Sequence, residues 1–307
     1  MTEALAAPVI LDARAAETAR RAKLPLEERF YELEEDELEF FKQETKIQDA
    51  DELTKHIRAV QAEAYLVHPY PCIRRFSFTK LKISRYPAYQ DLLRLGRERK
   101  GSLFLDVGCC FGNDVRKAVH DGFPMDQAIA SDLRPEYWDL GHKLFRTTPE
   151  EFPVPFLPGD IFDPNFLQIA PPATSAPTTS NPSLKDLRSL TPLNGRLSAL
   201  HSSAFFHLFD EAQQFAVAKA FAGLLSPEPG SVIFGSHRGE AVPGVRSMDE
   251  PQKFNHSPES WTELWEKQIF EEGQVKVWAI LREVARPDLD HVPGAKFYLL
   301  VWSVTRL

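Results

Sequence analysis

Apolar and polar positions follow two rhythms along this chain. From Ala50 to Tyr65, Leu53, Ile57, Val60 and Ala64 recur at spacings of three and four, one apolar stripe of a helix. Glu27 to Phe41 carries Phe30, Leu33, Leu38 and Phe41 among many acids and reads as a second helix with a solvated acidic face. Pro69 and Pro71 stop the helical run, and residues 84–99 read as a further helix. Beyond residue 100 the rhythm changes to short apolar runs divided by helical stretches. Strands are predicted at 102–107, 128–132, 154–158, 196–201 and 231–236, with helices at 114–120, 135–146 and 210–225. Alternating strand and helix predicts an α/β fold with a doubly wound sheet. Two final strands, 275–284 and 296–305, flank a loop rich in Pro and Asp and are predicted to pair antiparallel.

This reading divides the chain into a fraying N-terminus at 1–24, an N-terminal helical cap at 25–100 and an α/β domain at 101–307. One stretch does not fit the domain. Residues 170–182 are small, polar and Pro-rich, a composition that cannot bury much surface, and a mobile, dispensable loop is expected there. A helical pattern is expected to resume at Leu184, with Leu187 and Leu190.

The chemistry concentrates at three predicted strand ends. Leu103-Phe-Leu-Asp-Val-Gly-Cys-Cys-Phe-Gly112 is a strand, a turn and the start of a helix. Gly108 allows a sharp turn or a close approach of ligand, and the new helix offers free backbone N–H groups. The spacing is neither a dinucleotide fingerprint nor a P-loop. Asp106 puts a negative charge where a phosphate would sit, which favours a cationic or hydroxyl-bearing ligand. Twenty residues past Gly112, Asp132 ends a second apolar run, the place of a ribose-binding carboxylate in nucleotide-binding α/β units. A third run, Val154 to Ile161, ends in Asp160-Ile161. Each Asp alone could be a cap or turn former; together, in this order, they describe a nucleoside site.

Asp106-x-Gly108-x-Cys110-x-Gly112 resembles the cofactor loop of class I S-adenosylmethionine (SAM)-dependent methyltransferases, with Cys110 where that family usually has its middle glycine. Tyr70-Pro-Cys-Ile-Arg-Arg-Phe76, Ile83-Ser-Arg-Tyr-Pro-Ala-Tyr89 and Ser203-Ala-Phe-Phe-His-Leu-Phe-Asp210 resemble the fungal methyltransferases that O-methylate meroterpenoid and polyketide intermediates, some at a carboxyl group. The likeness spans about residues 25–307. It implies a Rossmann-like, seven-stranded methyltransferase sheet and SAM as cofactor. It implies cofactor contacts at Asp106, Gly108, Cys109, Gly112, Asp132, Leu133, Asp160, Ile161 and His201. Asp160 would accept from the adenine amine and Ile161 would pack on the ring.

His201, at the end of the fourth strand, is the first candidate near the transferred methyl; the other reading is a histidine that bonds its neighbours or lines the adenosine pocket. His207, in an aromatic run, and His237, after the fifth strand, are further candidates for substrate contact or for packing. Tyr65, His68, Tyr70 and Arg85 are candidates for a substrate lid. Trp261, Trp265 and Trp278 read as core or substrate wall. His201-Ser202-Ser203 lacks the acids of a magnesium-dependent methyltransferase, so no metal is expected. It also lacks a carboxylate to hold an imidazolium, which favours an acceptor that arrives as a carboxylate and needs no base. Methyl transfer to nitrogen, sulfur, carbon or a protein, or a degenerate SAM-fold scaffold, are the alternatives.

Composition narrows partners. The net charge of −8, without a basic stripe, argues against nucleic acid. Nine scattered His and three Cys suggest neither a metal cluster nor a disulfide framework. No basic n-region with an apolar core and no long apolar run is present, so neither a leader nor a membrane span is expected and the cytoplasm is the default. The partner is a small molecule, and the chain is expected as a monomer or homodimer.

Overall fold

A computed structural model of the chain describes residues 18–245, 253–286 and 296–307. The expected fraying of 1–24 therefore falls largely outside the described residues. In chain order the elements are α1 (Glu35–Thr45), α2 (Ala50–Val67), α3 (Tyr89–Glu98), β1 (Leu103–Val107), α4 (Asn113–His120), β2 (Ala128–Asp132), α5 (Pro135–Phe145), β3 (Phe156–Pro158), β4 (Leu197–Ser203), α6 (Glu211–Leu224), β5 (Val232–Gly239), β6 (Gly244–Val245), β7 (Phe254–Asn255), α7 (Pro258–Glu263), β8 (Val275–Glu283) and β9 (Tyr298–Arg306).

They form two compact units, Met1–Leu81 with Pro135–Phe152, and Lys82–Arg134 with Pro153–Leu307. The division differs from the expected boundary at residue 100: α3 belongs to the sheet unit, while α5, in the crossover from β2 to β3, belongs to the helical unit. Side chains on α5 explain this. Phe145 stacks on Phe41 of α1 at 5.5 Å, the carbonyl of Leu144 meets His56 of α2 at 2.9 Å, and the Tyr137 hydroxyl donates to the His68 carbonyl at 2.8 Å. α2 buries the expected stripe of Leu53, Ile57, Val60 and Ala64, and Asp49 caps it by accepting the Glu52 N–H. The first helix starts later than its apolar spacing suggested. Residues 28–30 make one tight turn, and α1 begins only after Glu34, whose capping box with Glu37 fixes the start.

The sheet unit carries seven strands in the order β3-β2-β1-β4-β5-β9-β8. β3 to β5 are parallel along this order, and β9 and β8 close the edge antiparallel. All five residues of β1 are buried, as a parallel strand covered on both faces requires. β8 instead alternates: Val277, Ala279 and Leu281 pack on the core, while Trp278 and Ile280 face outward. Trp278 is thus neither core nor an enclosed wall, unlike Trp261 and Trp265, which are fully buried. α6 starts at a capping box in which Asp210 accepts the Gln213 N–H at 2.8 Å.

Residues 170–182 lack regular structure, but they are not loose. The Arg196 guanidinium donates to the Thr179 carbonyl at 2.9 Å and to the Thr179 hydroxyl at 2.6 Å. The Asn181 amide donates to the Gly101 carbonyl, and Arg306 to the Ala173 carbonyl, both at 2.9 Å. Arg196 and Arg306 from elsewhere in the sheet unit, with the segment's own Asn181, supply polar binding in place of apolar burial. The helix expected from Leu184 is replaced by short turns at Leu184–Asp186 and Thr191–Leu193, which still bury Leu187, Leu190 and Leu193.

Candidate active site

The carboxyl ends of β1, β2 and β4 bring the expected loop residues together. Gly108, Cys110 and Gly112 all take left-handed backbone, with φ of 73°, 52° and 75°. The alternation explains why the related motif uses glycine at all three. Cys110 adopts the same turn against its own Cβ, a cost of about 1–2 kcal/mol. Gly108 has a second reason to be glycine: a Cβ there would lie 3.0 Å from the Phe205 ring.

Asp132 ties this loop down. One carboxylate oxygen accepts the Cys110 N–H at 2.9 Å and the other accepts the Arg134 N–H at 3.0 Å. The carboxylate keeps acceptor capacity for a further donor. Burial raises the carboxyl above its ordinary range, against the backbone N–H bonds of Arg134, Cys110 and Leu133 that lower it. Leu133 follows with 57 % exposure. Asp160 is exposed and uses one oxygen for the Phe162 N–H at 3.0 Å. Ile161 turns inward, 8 % exposed in the apolar core, whereas Phe162 is 38 % exposed and packs edge-on to Phe209. The open apolar surface beside Asp160 is therefore Phe162, not Ile161.

Cys109 is buried, and burial, with Asp132 and Asp106 nearby, pushes its thiol well above the ordinary range. It supports the loop and stays protonated. Among the described residues, no group of three or more His, Cys, Asp or Glu gathers as a metal site, and no helix is long and apolar enough to cross a membrane.

His201 is not open to a substrate. It is 1 % exposed, and both ring nitrogens are engaged: Nδ1 with Asp106 Oδ1 and Nε2 with Ser203 Oγ, each at 2.8 Å. Asp106 and His201 are cross-strand partners in the parallel register of β1 and β4. The carboxylate judged missing from the His201-Ser202-Ser203 stretch is thus present, on another strand 95 residues away. Asp106 Oδ2 is buried without a hydrogen-bond partner. Tyr86, in the Ile83–Tyr89 stretch, places its hydroxyl 2.8 Å from Ser203 Oγ and 2.7 Å from Ser236 Oγ. Burial raises the Tyr86 phenol above its ordinary value. Sequence spacing gave no sign of Tyr86 or Ser236, because the pairing of β4 with β5 sets Ser236 beside Ser203, and Tyr86 reaches both from the turn after Ile83–Arg85.

The remaining candidates lie elsewhere. His237 accepts the Trp302 indole N–H at 3.0 Å inside a cage with Phe206 and Trp261. His207 sits half-buried on the short turn Phe206–Leu208. Of the lid candidates, Tyr65 and Tyr70 are used within the helical unit. Tyr65 donates to the Arg21 carbonyl at 2.6 Å, and Tyr70 packs on His68 and Tyr137. Arg85 belongs to the sheet unit and is exposed.

Residues 27–79 match the family model of the meroterpenoid methyltransferase N-terminal domain. The chain is 34 % identical over 261 residues to the asnovolin E/chermesin D methyltransferase nvfJ of Aspergillus novofumigatus, covering 83 % of each chain. It is 32 % identical over 225 residues to the O-methyltransferase phiE of a fungal species (strain ATCC 74256), covering 73 % of this chain and 67 % of that one. Among solved structures, the 1,6-didemethyltoxoflavin-N1-methyltransferase of Burkholderia thailandensis aligns at a TM-score of 0.43 and 13 % identity, over 73 % of this chain and 80 % of that one. With the strand-end acids and loop geometry in place and the relatives in sequence covering most of its length, the chain belongs to the fungal secondary-metabolite methyltransferases and is an enzyme of that family.

Proposed function

We propose that the enzyme transfers the methyl group of SAM to a carboxylate oxygen of a small, largely apolar metabolite. The relatives' names support oxygen as the acceptor atom and secondary metabolism as the setting. The residues at the strand ends fit the cofactor. Asp132 has acceptor capacity left for a ribose hydroxyl, Leu133 and Phe162 offer apolar surface for the adenine, and Asp160 keeps an oxygen for its amine. Bound there, SAM supplies a methyl group on a sulfonium centre, already activated for in-line displacement. The protein's part is then alignment and exclusion of water.

One observation carries the choice of acceptor: His201 is enclosed, with both nitrogens engaged. A general base must reach the proton that it removes. A carboxylate has no such proton to lose. The test is incubation with methyl-labelled SAM and paired terpenoid acids and alcohols, read by mass shift. Label should enter the acids and be released by mild alkali, as an ester is. Label that enters only alcohols and resists alkali would overturn the assignment.

A second reading, a hydroxyl acceptor, is favoured by Ser203. It is only half-buried, and it connects through His201 to Asp106 in the order hydroxyl, imidazole, carboxylate. An acceptor O–H could pass its proton to Ser203 Oγ as the Ser203 proton moves to His201 Nε2.

A further inference from the structure

Residues opposite one another on paired strands share a face, so the register of β5, β9 and β8 sorts their side chains into rows. Ser236, Val301 and Ile280 form one row. Arg238, Leu299 and Arg282 form the next, one step nearer the carboxyl end of β5, and Phe234, Ser303 and Trp278 lie one step the other way. Tyr86 sits on this face, with its hydroxyl 2.7 Å from Ser236 Oγ and 2.8 Å from Ser203 Oγ at the end of β4. The face therefore runs from the strand ends of the candidate site out to β8, the edge of the sheet.

On β8 this face is open. Trp278 is 36 % exposed, Ile280 is 39 % exposed, and Arg282 is exposed. They are alternate residues of one strand, so they stand in line about 7 Å apart. The order is apolar, apolar, cationic. Apolar side chains exposed singly are ordinary, but two in line that end at a cation make an amphipathic strip.

The neighbouring charges are matched: Arg238 pairs with Glu240 at 2.9 Å, and Lys296 with Glu283 at 3.2 Å. Arg282 has no ion-pair partner among the described residues. Its charge reaches the candidate site, where it opposes the rise that burial gives the Tyr86 phenol. A guanidinium presents a fork of N–H donors that fits a carboxylate. Lys276 shares the face of β8, but its row, with Thr305 and Val232, lies at the amino end of β5, away from Ser203.

We propose that this strip binds the methyl acceptor: Trp278 and Ile280 take the apolar body of a terpenoid-sized acid, and Arg282 receives its carboxylate at the end of the strip nearest Tyr86 and Ser203. This rests on the reading that the acceptor is a carboxylate, and it names the residue that selects one. Arg282 attracts an anion and offers an alcohol of the same shape much less. A carboxylate bonded to a guanidinium keeps lone pairs on its oxygens, so it is held without being blocked. Arg282 therefore governs which acceptor binds, and the chemical step does not depend on it.

The test is equilibrium dialysis of the full chain with two probes, farnesoic acid and farnesol, a flexible terpenoid acid and the alcohol of the same carbon skeleton. At about pH 7.5 the acid is ionised. The wild type should prefer the acid. Arg282→Gln should weaken binding of the acid about tenfold or more, as loss of a bond to a charged group implies. Farnesol affinity should stay within about twofold, well below the tenfold step worth about 1.4 kcal/mol. Arg282→Lys should restore part of the loss. Lys276→Gln, the same change of charge on the same face at the other edge, should bind the acid as the wild type does. Trp278→Ala should weaken both probes by a similar factor. In turnover with labelled SAM, Arg282→Gln should raise KM for the acid and keep kcat. A preference for the acid that survives Arg282→Gln would overturn the proposal. So would equal losses for the two probes in that variant, a Lys276→Gln protein that matches it, or a fall in kcat with KM kept. A wild type without preference for the acid would instead overturn the carboxylate reading on which the proposal rests.

Discussion

Cys110 occupies a left-handed backbone position, φ 52°, between two glycines that take the same conformation without strain. Cys110→Gly should relieve about 1–2 kcal/mol of that strain and give back about 0.5–1 kcal/mol as unfolded-chain entropy. A gain of up to about 1.5 kcal/mol in urea denaturation is expected, with cofactor affinity kept, since the Cys110 N–H to Asp132 remains. A loss of stability would show that the thiol packs better than its backbone suggests. Gly108→Ala should behave oppositely, because the new Cβ would meet Phe205 at 3.0 Å with φ at 73°. Asp132 tests the ribose assignment. Asp132→Ala removes the anchors for the Cys110 and Arg134 N–H groups as well as the acceptors offered to the ligand. Calorimetry should show roughly a hundredfold or greater loss of S-adenosylhomocysteine affinity, at about 1.5–3 kcal/mol per charge-assisted bond, with Asp132→Asn intermediate. Unchanged affinity in the Ala variant would remove Asp132 from the site. The three strand-end acids were legible in the sequence because each closes an apolar run. The Asp106–His201 pair was not, since it depends on which strand lies beside β1.

At the scale of elements, 170–182 shows what composition can and cannot reveal. Its small, polar, Pro-rich makeup correctly excludes helix and strand. It says nothing about partners held elsewhere: Arg196 and Arg306 donate to the segment, and its own Asn181 donates to the Gly101 carbonyl. Replacing residues 171–181 with a short Gly-Ser link should therefore lower Tm. Loop closure changes by only about 0.6 kcal/mol per doubling of length, whereas several side chain–backbone bonds at about 1 kcal/mol each are lost. Arg196→Ala alone should reproduce part of the loss. An unchanged Tm in both would return the segment to the status of a dispensable loop. The seven strands of the sheet, in contrast, were legible, β2 to the residue and the others to within one to three, because a strand buried in a sheet core is mostly apolar. α1 was misread at its start because Phe30 and Leu33 fit a helical spacing, while the Glu34–Glu37 capping box begins the helix after them.

Across the whole molecule, acid stability should be governed first by buried histidines rather than by surface charge. His237 is fully buried and lies well below the ordinary imidazole range, through burial and then the nearby His256 and His207. Protonating its Nδ1 would also break the bond from the Trp302 indole. Burial lowers His256 from 6.5 to about 4. Both groups have a lower pKa folded than unfolded, so between those values the unfolded chain binds more protons. Stability is therefore fully present above about pH 6.5 and falls as the pH drops toward 4. His256 alone accounts for about 3 kcal/mol over that window, a large share of a typical 5–15 kcal/mol. Asp114 and Asp132 act with the opposite sign: raised by burial, they favour the folded state as the pH falls through their own range. The fall in stability from about pH 6.5 downward is thus the histidines' part, and the two carboxyl groups oppose it. Urea midpoints across this range should fall with pH in the wild type. They should fall less steeply in His256→Gln, which keeps a polar side chain beside Ser260 but cannot take up the proton. Equal slopes in the two proteins would mean that His256 is not buried in solution as it is in this fold.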